Sequence, residues 1–179
     1  MGLVYIASAT ASASATLEFT SGIDNTYNEY QFHFANMHPA TDNVNFSFQV
    51  NATDGADYND SAITSTFFAA YHRENGDGGY VPYEADFDQA QGTAYQVLAN
   101  YVGNDNDQPC SGVLTLYDPS STTYVKHFVS RLNGVTAGDY SRDNYAAGYI
   151  NDTTAIDNIS FKFSSGNIDA GTIHMYGVG

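Results

Sequence analysis

Apolar and polar residues alternate with a period of two along most of this chain, most clearly near its end. Between Asn151 and Val178, Ile159, Phe161 and Phe163 alternate with Ser160 and Lys162, and Ile173 and Met175 alternate with Thr172 and His174. Ser164 to Asn167 and Asp169 to Gly171 supply turn chemistry between the two runs. A period of two with one apolar side marks a half-buried antiparallel strand. The block predicts a strand hairpin in which Phe161 is buried and Ser160 faces out, so that a charge is ruinous at 161 and tolerated at 160.

The same pattern recurs upstream. Tyr30, Phe32 and Phe34 alternate with Gln31, His33 and Ala35; after the turn-like His38 to Asn43, Val44, Phe46, Phe48 and Val50 alternate with Asn45, Ser47 and Gln49. These two runs predict a second hairpin. Further strands are expected at 64–72, 94–102, 113–117, 123–132 and 145–150, separated by clusters of Asp, Asn, Gly, Ser and Pro. Residues 73–92 break the alternation and read as an extended surface loop with a short helical turn near 87–91. No window carries a helical period. About nine or ten short strands with frequent turns predict an all-β fold: a single antiparallel β-sandwich, jelly-roll-like, over residues 16–179, preceded by a short N-terminal arm or leading strand over 1–15. No fixed internal repeat points to a propeller or solenoid.

Length and composition sharpen this. With 179 residues the chain is one domain and buries roughly 70% of its unfolded surface, so it folds without disulfide or metal. The formal charge is −15, with Arg73, Arg131, Arg142, Lys126 and Lys162 as the only basic side chains. Phosphate backbones and anionic membranes would repel such a surface, so neither nucleic acid nor membrane is an expected partner. Copies also repel one another, except where salt shortens the screening length to about 4 Å, as in seawater. No apolar run approaches the length of a spanning helix, and the opening residues lack the basic region of a classical secretion signal. Cys110 has no partner for an internal disulfide and follows a loop-like stretch, which predicts an exposed, incidental thiol.

Candidate chemistry is thin. His33, His38, His72, His127 and His174 form no metal-ligating spacing; His33, His127 and His174 fall on strands and read as outward-facing. Asp54, Asp57 and Asp60 share one loop and Asp105 and Asp107 another. Calcium favours such loops, but neither has the glycine and closing glutamate of an EF-hand, and solvated turns are the simpler expectation. Glu18, Glu29, Glu74 and Glu84 could in principle pair as glycosidase carboxylates, without any spacing that requires it. The five Asn-x-Ser/Thr sequons, at Asn45, Asn51, Asn59, Asn151 and Asn158, suit a chain rich in these residues. No nucleophile elbow, phosphate loop or dinucleotide fingerprint occurs. No catalytic residue, cofactor or metal is expected, and the chain does not read as an enzyme.

Four stretches carry a resemblance: IASATASASATLEFTSGIDNTY, PATDNVNFSFQV, LYDPSSTTYVKHF and NDTTAIDNISFKFSSGNIDAGTIHMYGV. In this order they resemble a module of virion structural proteins of marine tailed phages. The resemblance implies a β-rich virion part with no catalytic residues. The chain has no long trimerising shaft, which favours a capsid decoration (cement) protein on the outer shell. Its partners would be the major capsid protein and further copies of itself, with the small-residue arm Ala7 to Ala15 adding a strand to a neighbour's sheet. The alternative is a tail-fibre or receptor- and glycan-binding module, in which Tyr80, Tyr83, Phe87 and the Asp54–Asp60 loop would meet the sugar.

Overall fold

A computed structural model describes residues 2–52 and 57–179. It has thirteen strands and, among the described residues, no helix. The small sheet contains β2 (Leu17–Phe19), β12 (Ile156–Phe163), β4 (Val44–Ala52) and β8 (Gln96–Val102), in that order. The large sheet starts with β1 (Leu3–Thr10), β13 (Ile168–Val178), β3 (Glu29–Pro39) and β9 (Cys110–Tyr117). It continues through β10 (Lys126–Val135), β11 (Tyr140–Ile150) and β5 (Ile63–Arg73), along which the short β6 (Gly79–Tyr80) and β7 (Ala90–Gly92) both pair. Every pairing is antiparallel.

The order is that of a jelly roll. Among β1, β2, β3, β4, β8, β9, β12 and β13, the first lies beside the last, then the third and sixth, in one sheet. The second lies beside the seventh, then the fourth and fifth, in the other. This is the double Greek key of a jelly-roll sandwich. The insertions β5–β7 and β10–β11 all join the large sheet, bringing it to nine strands against four.

The expected hairpins are corrected by this order. β3 and β4 lie in opposite sheets, as do β12 and β13. Their alternation is real, but their apolar faces look at each other across the core: the rings of Phe34 and Phe46 meet at 5.3 Å. Phe161 is the hub of this core, with Phe32 and Phe34 at 5.5 and 5.2 Å and Phe46 stacked at 6.1 Å. A true hairpin joins β10 to β11, closed by a turn in which the Thr136 hydroxyl accepts from the Gly138 and Tyr140 amides. Of the two expectations for the leading segment, arm or strand, the strand is observed: it pairs with β13 from Leu3↔Val178 to Thr10↔Thr172.

The stretch after β5 is not a free loop and holds no helical turn. Ser65 and Ala69 donate amides to Gln89 and Pro82, and Glu84 donates to Phe67, so residues 79–92 run back along the edge of β5. Nor is the outer face of the small sheet solvated. Gln49 is fully buried, its amide donating to the carbonyls of Ser61, Thr93 and Ala94. Ser160 is buried too: it accepts from the Tyr95 hydroxyl at 3.1 Å and donates to Glu18 at 3.3 Å. The Lys162 ammonium lies 4.0 Å from the centre of the same Tyr95 ring, a cation–π contact.

Lys126 occupies an inward position on β10 and is fully buried. Its ammonium donates to the carbonyls of Asp152, at 2.9 Å, and Thr154, fastening the crossing from β11 to β12. Burial lowers its pKa, against the opposing pull of Asp152 and Asp118. The charge is kept by hydrogen bonding that replaces its lost hydration.

Phe161→Ala should cost about 3–5 kcal/mol in urea unfolding, as expected for emptying an aromatic core position. Ser160→Ala should cost about 1 kcal/mol through its lost hydrogen bonds. Contrary to the sequence expectation, Ser160→Asp should also destabilise strongly, because it buries a second carboxylate against Glu18; a melt like that of the wild type would show that the Tyr95 cover is absent in solution.

Candidate functional site

Two regions stand out. The first is the free edge of β1. Sheet edges invite pairing with other chains, and proteins blunt them with short strands, covers and charges. Three of the four edges here are blunted. β2 is three residues long, β5 is flanked by residues 79–92, and β8 is tied to the β10–β11 turn by bonds from Gly103 to Val135 and from Ala137 to Tyr101. Among the described residues, nothing pairs with the outer edge of β1. Leu3, Val4 and Tyr5 are exposed there, and a bulge between Tyr5 and Ala7 divides the strand into two pairing stretches. The sequence from Gly2 to Leu17 holds no charged side chain, in a chain whose formal charge is −15.

The second region is where the large sheet overhangs the small one. Past β8, among the described residues, no strand covers the inner faces of β11 and β5. Their inward side chains there mix the apolar Phe67 and Ala69 with Ser65, Tyr71, Tyr140, Arg142 and Asn144. Residues 84–96 fold over this face. Gln96 donates to the Phe87 carbonyl and accepts from the Ser65 hydroxyl at 2.6 Å, while Phe87 packs on Phe67. Glu84 reaches in to pair with buried Arg142, and its other oxygen accepts from Asn100 at 2.7 Å.

The Arg142 guanidinium lies between two tyrosine rings, 4.7 Å from the centre of Tyr71 and 5.1 Å from that of Tyr101. Arg73 lies 5.4 Å from the Tyr140 ring, which meets Tyr71 edge-on. A cleft of about 290 Å³ opens beside them, lined by Asn43, Tyr71, Tyr101, Thr136, Gly138, Tyr140 and Arg142. The Nε of Arg142 and the Oδ1 of Asn100 are buried without a hydrogen-bond partner. The lining offers aromatic faces, hydroxyls, an amide and a guanidinium.

The residues singled out in the sequence are mostly scattered. Glu84 and Phe87 reach this region, and Tyr80 touches it through Tyr71, ring to ring at 5.6 Å. Tyr83 points elsewhere, bonded to Asp88, which raises its hydroxyl pKa. Glu18 is on the outer face of the small sheet; Glu29 hydrogen-bonds Gln31; Glu74 follows β5. Asp54 lies outside the described residues. Among those described, no cluster of three or more His, Cys, Asp or Glu could hold a metal, Asp57, Asp60, Asp105 and Asp107 included. His33 and His174 are directly opposed across β3 and β13 and only half-buried. Burial first, and His174 second, lower the pKa of His33. His38 donates from Nε2 to the Asp105 carbonyl and faces Asp169 at 3.6 Å; His72 and His127 are exposed.

Cys110 is a correction: it opens β9 and is fully buried, so its thiol is inaccessible. The loop signal before it ends one residue too early to expose it. The sequence reading also missed Tyr71, Tyr101, Tyr140 and Arg142. The available signal was the scarcity of base: an arginine in the inward phase of a strand, two residues before Asn144, needs a partner to be buried.

No family model and no curated protein matches the sequence. Among solved structures, a Bacteroides ovatus protein of unknown function is similar over 78% of this chain and 46% of its own length, at 8% identity and a TM-score of 0.22. The chain thus spans less than half of that protein, and the likeness is too slight to bear on fold or function.

Two outcomes follow. Arg142→Ala leaves the largely covered Glu84 carboxylate with the Asn100 amide but no counter-charge, and should cost about 3 kcal/mol; replacing both residues by apolar ones should cost less than the single change. A double-mutant cycle in denaturant reads this directly. Burial raises the Cys110 thiol from 9.0 to about 12. The unfolded chain releases that proton near 9, whereas the folded chain holds it, so stability falls as pH rises across this window. Cys110→Ala should flatten that fall by one proton in alkaline melts; an unchanged slope would mean the thiol is reached by solvent.

Proposed function

We propose that this protein is an exterior structural component of a tailed-phage virion, a capsid decoration protein that docks on coat subunits as an oligomer. The observation that carries the proposal is the free β1 edge. Among the described residues it is the long sheet edge left open; it exposes Leu3, Val4 and Tyr5, and it is free of charge. A coat strand or loop can pair there through backbone hydrogen bonds, with small side chains at Ala7 and Ala9 permitting close approach. Elsewhere the acidic surface keeps copies apart and soluble. The order of the four stretches that resemble phage virion proteins supports the same assignment, as does the jelly-roll architecture, which viral capsid domains use widely. Strand addition to this edge replaces the expected role of residues 7–15 as an arm: the segment offers an edge instead of reaching for one.

Electron cryomicroscopy of virions of the encoding phage should show this sandwich on the outer shell. Density confined to the tail would overturn the decoration assignment. In reconstitution with coat shells, the double variant Leu3→Lys/Tyr5→Lys should lose binding while its melt stays within about 0.5 kcal/mol of wild type, since both positions are exposed. Equal binding by the variant would rule out the β1 edge.

A further inference from the structure

A second binding surface follows from the backbone of β8. Between the pairs Val44↔Val102 and Phe46↔Ala99, β4 advances two residues while β8 advances three. The extra residue is a β-bulge at Asn100 and Tyr101, and Tyr101 takes a left-handed φ of 57°. A tyrosine in that region is strained, by about 1–2 kcal/mol, and bulges of this kind re-aim side chains beside binding sites. The conformation is fixed from both sides: the Tyr101 amide donates to Asn45 Oδ1 at 3.1 Å, and its carbonyl accepts from Ala137 at 3.2 Å. The result is that Tyr101, 39% exposed, turns from the sheet to the rim of the overhang cleft. Asn43, across the cleft mouth, is also left-handed, with φ 58°.

We propose that this cleft binds one sugar ring of a polysaccharide, stacked on tyrosine. Its volume, about 290 Å³, lies at the small end of ligand sites and suits a single ring rather than an extended chain. Tyr71, Tyr101 and Tyr140 present aromatic surface for the C–H face of a pyranose. Their rings are fixed by each other and by the two arginines, so little side-chain freedom remains to be lost on binding. Asn43, Thr136 and the tyrosine hydroxyls supply donors and acceptors for ring hydroxyls. At the floor, the guanidinium of Arg142, 6% exposed, is held between the Tyr71 and Tyr101 rings by Glu84 and needs no rearrangement to receive a ring. Arg142 is neutralised by Glu84, and Arg73 adds one positive charge, so an otherwise acidic protein does not repel a neutral or uronic sugar here. The inference does not depend on coat docking, which uses the opposite end of the large sheet.

Saturation-transfer NMR on the whole protein, with galactose, glucose, mannose and glucuronate as probes, tests it. At least one sugar should take up saturation on its ring protons, with neutral and uronic probes separating the two sources. Tyr101→Phe keeps the ring and should bind within a few-fold of wild type; Tyr101→Ala should weaken binding roughly tenfold while the melt is retained. The Leu3→Lys/Tyr5→Lys variant should bind sugar as wild type does. Transfer to none of the four sugars, or equal binding by Tyr101→Ala, would overturn the proposal and leave the β1 edge untouched.

Discussion

The mismatch between nine strands and four is the constraint on which the rest of this structure depends. Two sheets of equal width bury each other's inner faces with apolar side chains alone. Here the insertions β5–β7 and β10–β11 widen only one sheet, and its surplus inner face must be covered by something other than a strand. The cover is the segment that runs along β5 and then folds under it. An irregular cover brings unpaired backbone and side-chain polar groups, which are costly to bury unless bonded. Ser65, Gln96, Asn144 and the Arg142–Glu84 pair are the polar floor that such a cover needs. Where the cover stops short of the β10–β11 turn, the cleft opens.

Most of the framework strands were legible in the sequence, because alternation is a property of each strand alone; β2, three residues long, is too short to show it. Phe32, Phe46, Phe48 and Phe161 all announce their inward phase, and all are fully buried. What alternation lacks is the partner. An apolar face says that a strand covers a core, not from which side. That is why β3 with β4, and β12 with β13, looked like hairpins: a polar turn between two amphipathic strands serves equally to cross from one sheet to the other. Ser160 and Gln49 illustrate the second gap. Their polar phase is correctly read, but residues 93–95, remote in sequence, settle over that face. The cleft was least legible, since it rests on a bulge, and a bulge shifts phase by one residue without any residue that signals it; neither Asn100 nor Tyr101 is a glycine.

Charge and aromatic content are linked in a way that composition alone does not reveal. All three arginines stack on tyrosine: Arg73 on Tyr140, Arg131 on Tyr145, and Arg142 between Tyr71 and Tyr101. In a chain with so few cations, each is held where its planar face and its charge are both used. The two lysines are placed in the same manner, one on the Tyr95 ring and one capped by two carbonyls. The acidic groups are therefore largely left to the surface, which sets the long-range field, while the basic ones act locally as fasteners.

The pairing of β1 with β13 carries a consequence for how the protein is made. A ribosome delivers β1 first, but the strand it joins spans residues 168–178 and emerges more than a hundred and fifty residues later. Throughout that interval the segment from Leu3 to Thr10 has both edges unsatisfied, with only its lack of charge and its run of Ala, Ser and Thr between it and neighbouring nascent chains. Small polar residues are poor formers of tight cross-β stacks, whereas Leu-Val-Tyr-Ile just ahead of them is a good one. The same eight residues must stay unpaired while the chain is synthesised, then seal the sheet as its final strand.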